Sequence, residues 1–196
     1  LPAPTIDKPG TDVTIAFSDS SGLHIKLPVS INGKIYDFIF DTGASSSLIT
    51  SEIATEIGAQ SVGEPIFVGG ATGGGYLERA LIERMDIGPI TLRNVLVFVN
   101  ENSAEDDPLK VDAVLGMDFI KRLGEVQIDM VNHTLRIPAE KSARPEYGKN
   151  ILLEQNIPVI EVVDEGGDRM TFILDTGHSG ADFSVLWFAK NRELLS

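Results

Sequence analysis

One stretch of this chain occurs twice. Ile35-Tyr36-Asp37-Phe38-Ile39-Phe40-Asp41-Thr42-Gly43 is matched by Arg169-Met170-Thr171-Phe172-Ile173-Leu174-Asp175-Thr176-Gly177, 134 residues later. Internal repetition constrains a fold more than any local propensity, because each copy must make the same supersecondary unit. Each copy reads as strand, turn, strand, then Asp-Thr-Gly: Asn32-Gly33 supplies the first turn and Gly166-Gly167 the second. On average composition two chance Asp-Thr-Gly tripeptides in a chain of this length occur about once in a thousand sequences. A carboxylate at the end of an apolar strand loses hydration and needs compensating partners. One such Asp ties a turn. Two facing each other cannot both ionise easily, share a proton, and can act together as base and acid on a water and a carbonyl.

The surroundings of the repeat read as all-β. With 19 Gly and 10 Pro, turn signals are dense, and short β-branched and aromatic runs lie between them. Strands are expected at 24–31, 35–40, 64–69, 76–86, 91–99, 111–115, 125–130 and 133–137. Helices are few and short. One spans Ser51 to Ile57 with Gly58 as its stop, one spans Asp118 to Leu123 with Gly124 as its stop, and a third covers 184–195, where Trp187 packs on a core. The acidic run 101–108 reads as a solvated loop and 139–150 as a linker.

The residues around Asp41 resemble the aspartic peptidases of the retropepsin and pepsin group. Asp41-Thr42-Gly43-Ala44-Ser45 is similar to the catalytic turn of that family. The run from Ile49-Thr50 to Gly58 resembles the short helix of its bacterial retropepsin-like members. Gly69-Gly70-Ala71-Thr72-Gly73-Gly74-Gly75-Tyr76 sits where the family has a flap hairpin. Val111 to Phe119, with Leu115-Gly116 at its centre, resembles the second family motif, two apolar residues and a glycine passing beside the active turn. The likeness covers about 21–138 as one complete lobe, an acid-protease β-barrel with a few short helices. It implies that Asp41 is catalytic, that Thr42 holds its partner loop by hydroxyl-to-backbone hydrogen bonds, and that Gly43 lets two turns approach. It also implies that residues 69–76 form a lid over an extended peptide substrate, a role that a glycine-rich run suits.

The second copy supplies Asp175, Thr176 and Gly177, then His178, Ser179 and a following helix, and stops at Ser196. The first copy continues 97 residues from Asp41 to Pro138; the second continues 21 beyond Asp175. The expected organisation is a lead-in over 1–20, a complete lobe over 21–138, a linker over 139–150 and the beginning of a second lobe over 151–196. Two explanations stand. The chain is part of a two-lobed protein in which Asp41 pairs with Asp175, the reading favoured by how well the repeat is kept up to the end. Otherwise Asp175 is a relic and the dyad is Asp41 with Asp41 of a second chain. The functional expectation is an aspartic endopeptidase acting on peptide or protein substrates. The alternative is a catalytically silent peptide-binding or dimerisation module of the same fold.

Composition removes other classes. With 16 Lys+Arg against 29 Asp+Glu the formal charge is −13, which argues against nucleic-acid partners and against docking on an anionic membrane. No apolar run approaches the ~18 residues of a membrane span. Cysteine is absent, so disulfides and thiolate ligands are excluded. His24, His133 and His178 show no metal-ligand spacing, so no metal and no cofactor are expected. Ser45 and Ser179 have no base at a recognisable spacing that would make either a nucleophile. An exported protein, periplasmic or secreted, is the expected location.

Overall fold

A computed structural model describes residues 1–18, 24–70, 73–101, 113–142, 151–164, 166–178 and 180. The chain is all-β with two short helices. In order, the elements are β1 (Thr5–Asp7), β2 (Val13–Ala16), β3 (Lys26–Ile31), β4 (Lys34–Phe40), β5 (Leu48–Thr50), α1 (Ser51–Ile57), β6 (Gln60–Ser61), β7 (Ile66–Gly70), β8 (Gly73–Ile87), β9 (Ile90–Asn100), β10 (Ala113–Leu115), α2 (Met117–Leu123), β11 (Gln127–Asp129), β12 (Thr134–Ile137), β13 (Ile151–Glu154), β14 (Ile157–Val163) and β15 (Arg169–Ile173).

The main sheet runs β1-β9-β5-β10-β4-β3-β8-β6, and β8 also pairs with β9, so the strands from β9 round to β8 close on themselves as a barrel. Alternation dictates its inside. Leu27, Val29 and Ile31 of β3 are buried, as are Leu92, Val95, Val97 and Val99 of β9. β3 and β4 join through Asn32 and Gly33, both at positive φ, the two-residue turn whose twist matches a hairpin. α1 starts at Thr50, whose hydroxyl accepts from Ile53 N, and ends at Gly58 in the left-handed conformation. It lies within the range its apolar spacing predicts.

Residues 1–18 differ from the lead-in expected over 1–20. β1 pairs with β9, and β2 pairs with β12 in a second sheet ordered β11-β12-β2. Val13, Ile15 and Phe17 are buried in the same core as the barrel strands. The Pro and Gly residues of this stretch obscure a period-2 pattern that a short strand needs only twice over. Residues 139–142, expected to open a linker, are held instead: Ala139 N donates to Asp12 Oδ1 and Ser142 N to Glu125 Oε2. Most of the acidic loop, most of the linker, the helix expected over 184–195 and its Trp187 lie outside the described residues, as do Ala71, Thr72, Val111, Asp112 and Ser179.

The second copy forms a separate sheet, β13-β14-β15. Its first hairpin turns at Gln155 and Asn156, both at positive φ, and its second spans Asp164 to Asp168 with Gly167 at φ 85°.

Candidate active site

Asp41 follows directly on β4, and Asp41 N donates to Leu115 O (3.0 Å) on β10, the strand that runs parallel to β4. Its carboxylate accepts from two amides of its own turn: Gly43 N and Ala44 N both donate to Oδ1, at 2.7 and 3.1 Å. Asp175 repeats the arrangement, with Gly177 N donating to its Oδ1 at 2.8 Å. Both carboxylates are therefore aimed by the backbone that follows them.

The two turns meet in one chain. Thr42 N donates to Thr176 Oγ1 and Thr176 N donates to Thr42 Oγ1, each at 3.0 Å. Each hydroxyl in turn donates to the carbonyl before the other Asp: Thr42 Oγ1 to Leu174 O, and Thr176 Oγ1 to Phe40 O at 2.7 Å. The result is a two-fold cross-brace of four hydrogen bonds in which each Thr hydroxyl both donates and accepts. The glycines complete it. A Cβ on Gly43 would overlap the Asp175 carboxylate, and a Cβ on Gly177 would overlap that of Asp41. Only hydrogen fits at either position, so the sequence's two Gly are required by the approach itself.

The approach has an electrostatic consequence. Burial, and next the charge of Asp175, push the Asp41 carboxyl up to about 6; a hydrogen bond between the two carboxyls adds to the rise, and the Gly43 and Ala44 amides oppose it. Two carboxyls so close hold a shared proton well above the pH at which an ordinary Asp has lost it.

Leu115 and Gly116 lie against the back of the Asp41 turn. A Cβ on Gly116 would come within 2.9 Å of Ala44 O and closer still to Ser46. Met117 N donates to Ala44 O (2.8 Å) and Asp118 N to Ser45 O (3.2 Å). Gly69 and Gly70 on β7 face Gly74 and Gly73 on β8 across a hairpin, and Val68 faces Gly75. One step down the same hairpin Phe67 and Tyr76 pack edge to face, ring centroids 5.7 Å apart, and both are exposed. Sequence reasoning named Tyr76 and missed Phe67; the register of a hairpin of which only the glycines were noticed would have paired them. It also missed Ser47 and Asp118, which bind each other (below). A cavity of about 500 Å³ lies between β9 and α2, lined by Leu92, Val97, Phe119, Arg79 and Arg122; it reaches the paired turns only at Ser46.

Residues 27–122 match the model of a family described as gag-polyprotein putative aspartyl protease. The match contains Asp41, the β7–β8 hairpin and Leu115-Gly116, and ends before Asp175. A Sinorhizobium protein described as an uncharacterized protein in the cobV 5′ region is 31% identical over 107 residues, 54% of this chain and 44% of that protein. The chain thus spans less than half the length of the curated relative it matches. A crystal structure of a retropepsin-like aspartic protease from Rickettsia conorii aligns with a TM-score of 0.46 and 19% identity, over 69% of this chain and 92% of that one.

Proposed function

We propose that this chain, whose residues 27–122 match the model of a putative aspartyl protease family, hydrolyses peptide bonds with a water activated between Asp41 and Asp175. The observation that carries this reading is the reciprocal bracing of the two Asp-Thr-Gly turns, which sets two carboxyls against each other with Asp41 pushed up to about 6.

The chemistry follows from the shared proton. Asp41, with its raised affinity, holds the proton, and the ionised carboxyl of the pair takes one from the attacking water. The hydroxyl adds to the carbonyl carbon as Asp41 gives its proton to the carbonyl oxygen, producing a neutral diol. The carboxyl that took the water's proton then gives it to the amide nitrogen while the ionised Asp41 takes one from a diol hydroxyl, and the C–N bond breaks to leave an amine and a carboxylic acid. No covalent intermediate forms on the protein. The β7–β8 hairpin carrying Gly69, Gly70 and Gly73 to Tyr76 is the lid, and the substrate lies under it extended, bonded through its backbone as an added strand. On this reading the dyad lies within one chain, which is supported by the bonds that Thr42 and Phe40 make with Asp175-Thr176-Gly177 where a second copy's Asp41 turn would otherwise sit.

The test is cleavage of an unfolded protein between pH 4 and 7, read by fragment mass, with Asp41→Asn alongside. Activity in the parent and about a hundredfold or greater loss in the variant is expected. A parent that binds the unfolded protein without cutting it is the silent module instead.

A further inference from the structure

The Asp41 turn carries a second fastening beside the Thr42–Thr176 bracing. Ser47 is 1% exposed. Its hydroxyl donates to Asp118 Oδ1 at 2.7 Å and accepts from Gly116 N at 3.1 Å. The same Asp118 oxygen accepts from Phe119 N at 2.8 Å, which fixes the carboxylate at the start of α2. Ser47 O accepts from Phe98 N (3.0 Å) on β9. One buried residue thus ties the end of the Asp41 turn through its hydroxyl to α2 and to the glycine that packs on that turn, and through its backbone carbonyl to the barrel wall.

The repeat makes this informative. At the same offset that relates Asp41 to Asp175, the residue corresponding to Ser47 is Ala181. Alanine has no hydroxyl and can make neither bond.

From this we infer that Ser47 and Asp118 are positioning residues for the reaction: their hydrogen bond locks the Asp41 turn as the fixed half of the dyad, against which the Thr42–Thr176 bracing sets the Asp175 turn. The inference rests on the peptidase reading and deepens it. Gly116 sits so tightly on Ala44 and Ser46 that any shift of α2's first turn displaces the Asp41 loop with it. Without the Ser47 hydroxyl, Gly116 N and the Asp118 carboxylate lose their common partner, and the loop gains freedom where catalysis depends on sub-ångström placement.

The experiment compares Ser47→Ala, Asp118→Ala and Asp118→Asn in the full chain. At a temperature where all are folded, Ser47→Ala and Asp118→Ala each lower kcat about tenfold to a hundredfold with KM within about twofold, the signature of an interaction that matters only in the transition state. Asp118→Asn, whose amide oxygen still accepts from Ser47, loses at most about threefold. In parallel, the Asp41 carboxyl carbon is followed by NMR against pH. In Ser47→Ala it titrates nearer the ordinary carboxylate range, because a loosened turn admits water and separates it from Asp175. This second readout needs no cleavage. A parent chain that cuts nothing sinks the peptidase reading and leaves the Asp41 titration to decide the latch. Unaltered kcat in Ser47→Ala, or unaltered Asp41 titration where the chain is inactive, overturns the inference even if the melting temperature falls.

Discussion

Phe38-Ile39-Phe40 and Phe172-Ile173-Leu174 lead into the same tripeptide, yet the chain treats them differently. Phe38, Ile39 and Phe40 are 0%, 4% and 1% exposed; Ile173 and Leu174 are 57% and 43% exposed, and Phe172 is half-buried. β4 lies between β3 and β10, with bonds on both sides, whereas β15 pairs only with β14 among the described strands. The Asp41 loop rests on β10 and α2 and is latched by Ser47; the Asp175 loop is braced through Thr176. The difference shows that the geometry of the paired turns is built from one side. A complete barrel fixes one Asp, and the cross-brace carries that order across to the other. Local sequence sets the turn, but only packing makes it rigid.

The largest test of that asymmetry asks whether it extends to catalysis. A shared proton needs both carboxyls, so Asp175→Asn should abolish cleavage as completely as Asp41→Asn, each by about 10²–10⁴-fold, despite the exposure of the second site. Rates with a peptide substrate decide it. Asp175→Ala with parental activity would break the comparison altogether and make the dyad Asp41 with Asp41 of a second chain, a result that the mass of the active species in solution should then report as a dimer.

Stability should separate the copies next. Phe38→Ala removes a ring from the closed core and should cost about 3–5 kcal/mol. Phe172→Ala removes the same ring from a half-buried site and should cost less, about 1–2 kcal/mol, since part of its surface stays in water and no closed core is left with a cavity. Urea midpoints of the two variants measure this directly. Equal costs would mean that the second sheet is as well covered as the first.

What the sequence disclosed tracks the same divide. The repeat, the Asn32-Gly33 hairpin, α1 with its Gly58 stop and the strand-to-Asp41 step were legible because each depends on local residues in a fixed pattern. The pairing of Asp41 with Asp175 was legible only as one of two alternatives, since spacing cannot say whether two turns meet within a chain or between chains. The strands inside 5–16 were hidden because their burial comes from distant partners, β9 and β12, while their own Pro and Gly residues signal turns. The Ser47–Asp118 bond joins positions 71 residues apart. Nothing in either neighbourhood marks it beyond a run of three serines and an Asp beside α2.

The smallest effect is electrical, and it tests whether the two turns sense each other's charge. Asp41 is pushed up to about 6 by burial first and by Asp175 second; in the unfolded chain an Asp titrates near 3.9. Between about pH 4 and 6 the folded protein therefore holds a proton that the unfolded chain has released. The stability this contributes is present in acid and lost as the pH rises through about 6, the reverse of a salt-bridged Asp. Carboxyls held below their ordinary range, such as Asp12 by Ala139 N and then Arg136, and Asp86 by Arg84, act in the opposite direction at lower pH, so the informative quantity is the difference between variants. Asp41→Asn should remove the decline between pH 4 and 6. Asp175→Asn takes away a neighbouring charge and leaves the burial, so the decline should persist but end at a lower pH than in the parent. Urea midpoints at half-unit pH steps for the three proteins resolve this. An Asp175→Asn curve that superimposes on the parent's would mean that the charge on the exposed turn does not reach the buried one, and the asymmetry between the copies would then extend to their electrostatics.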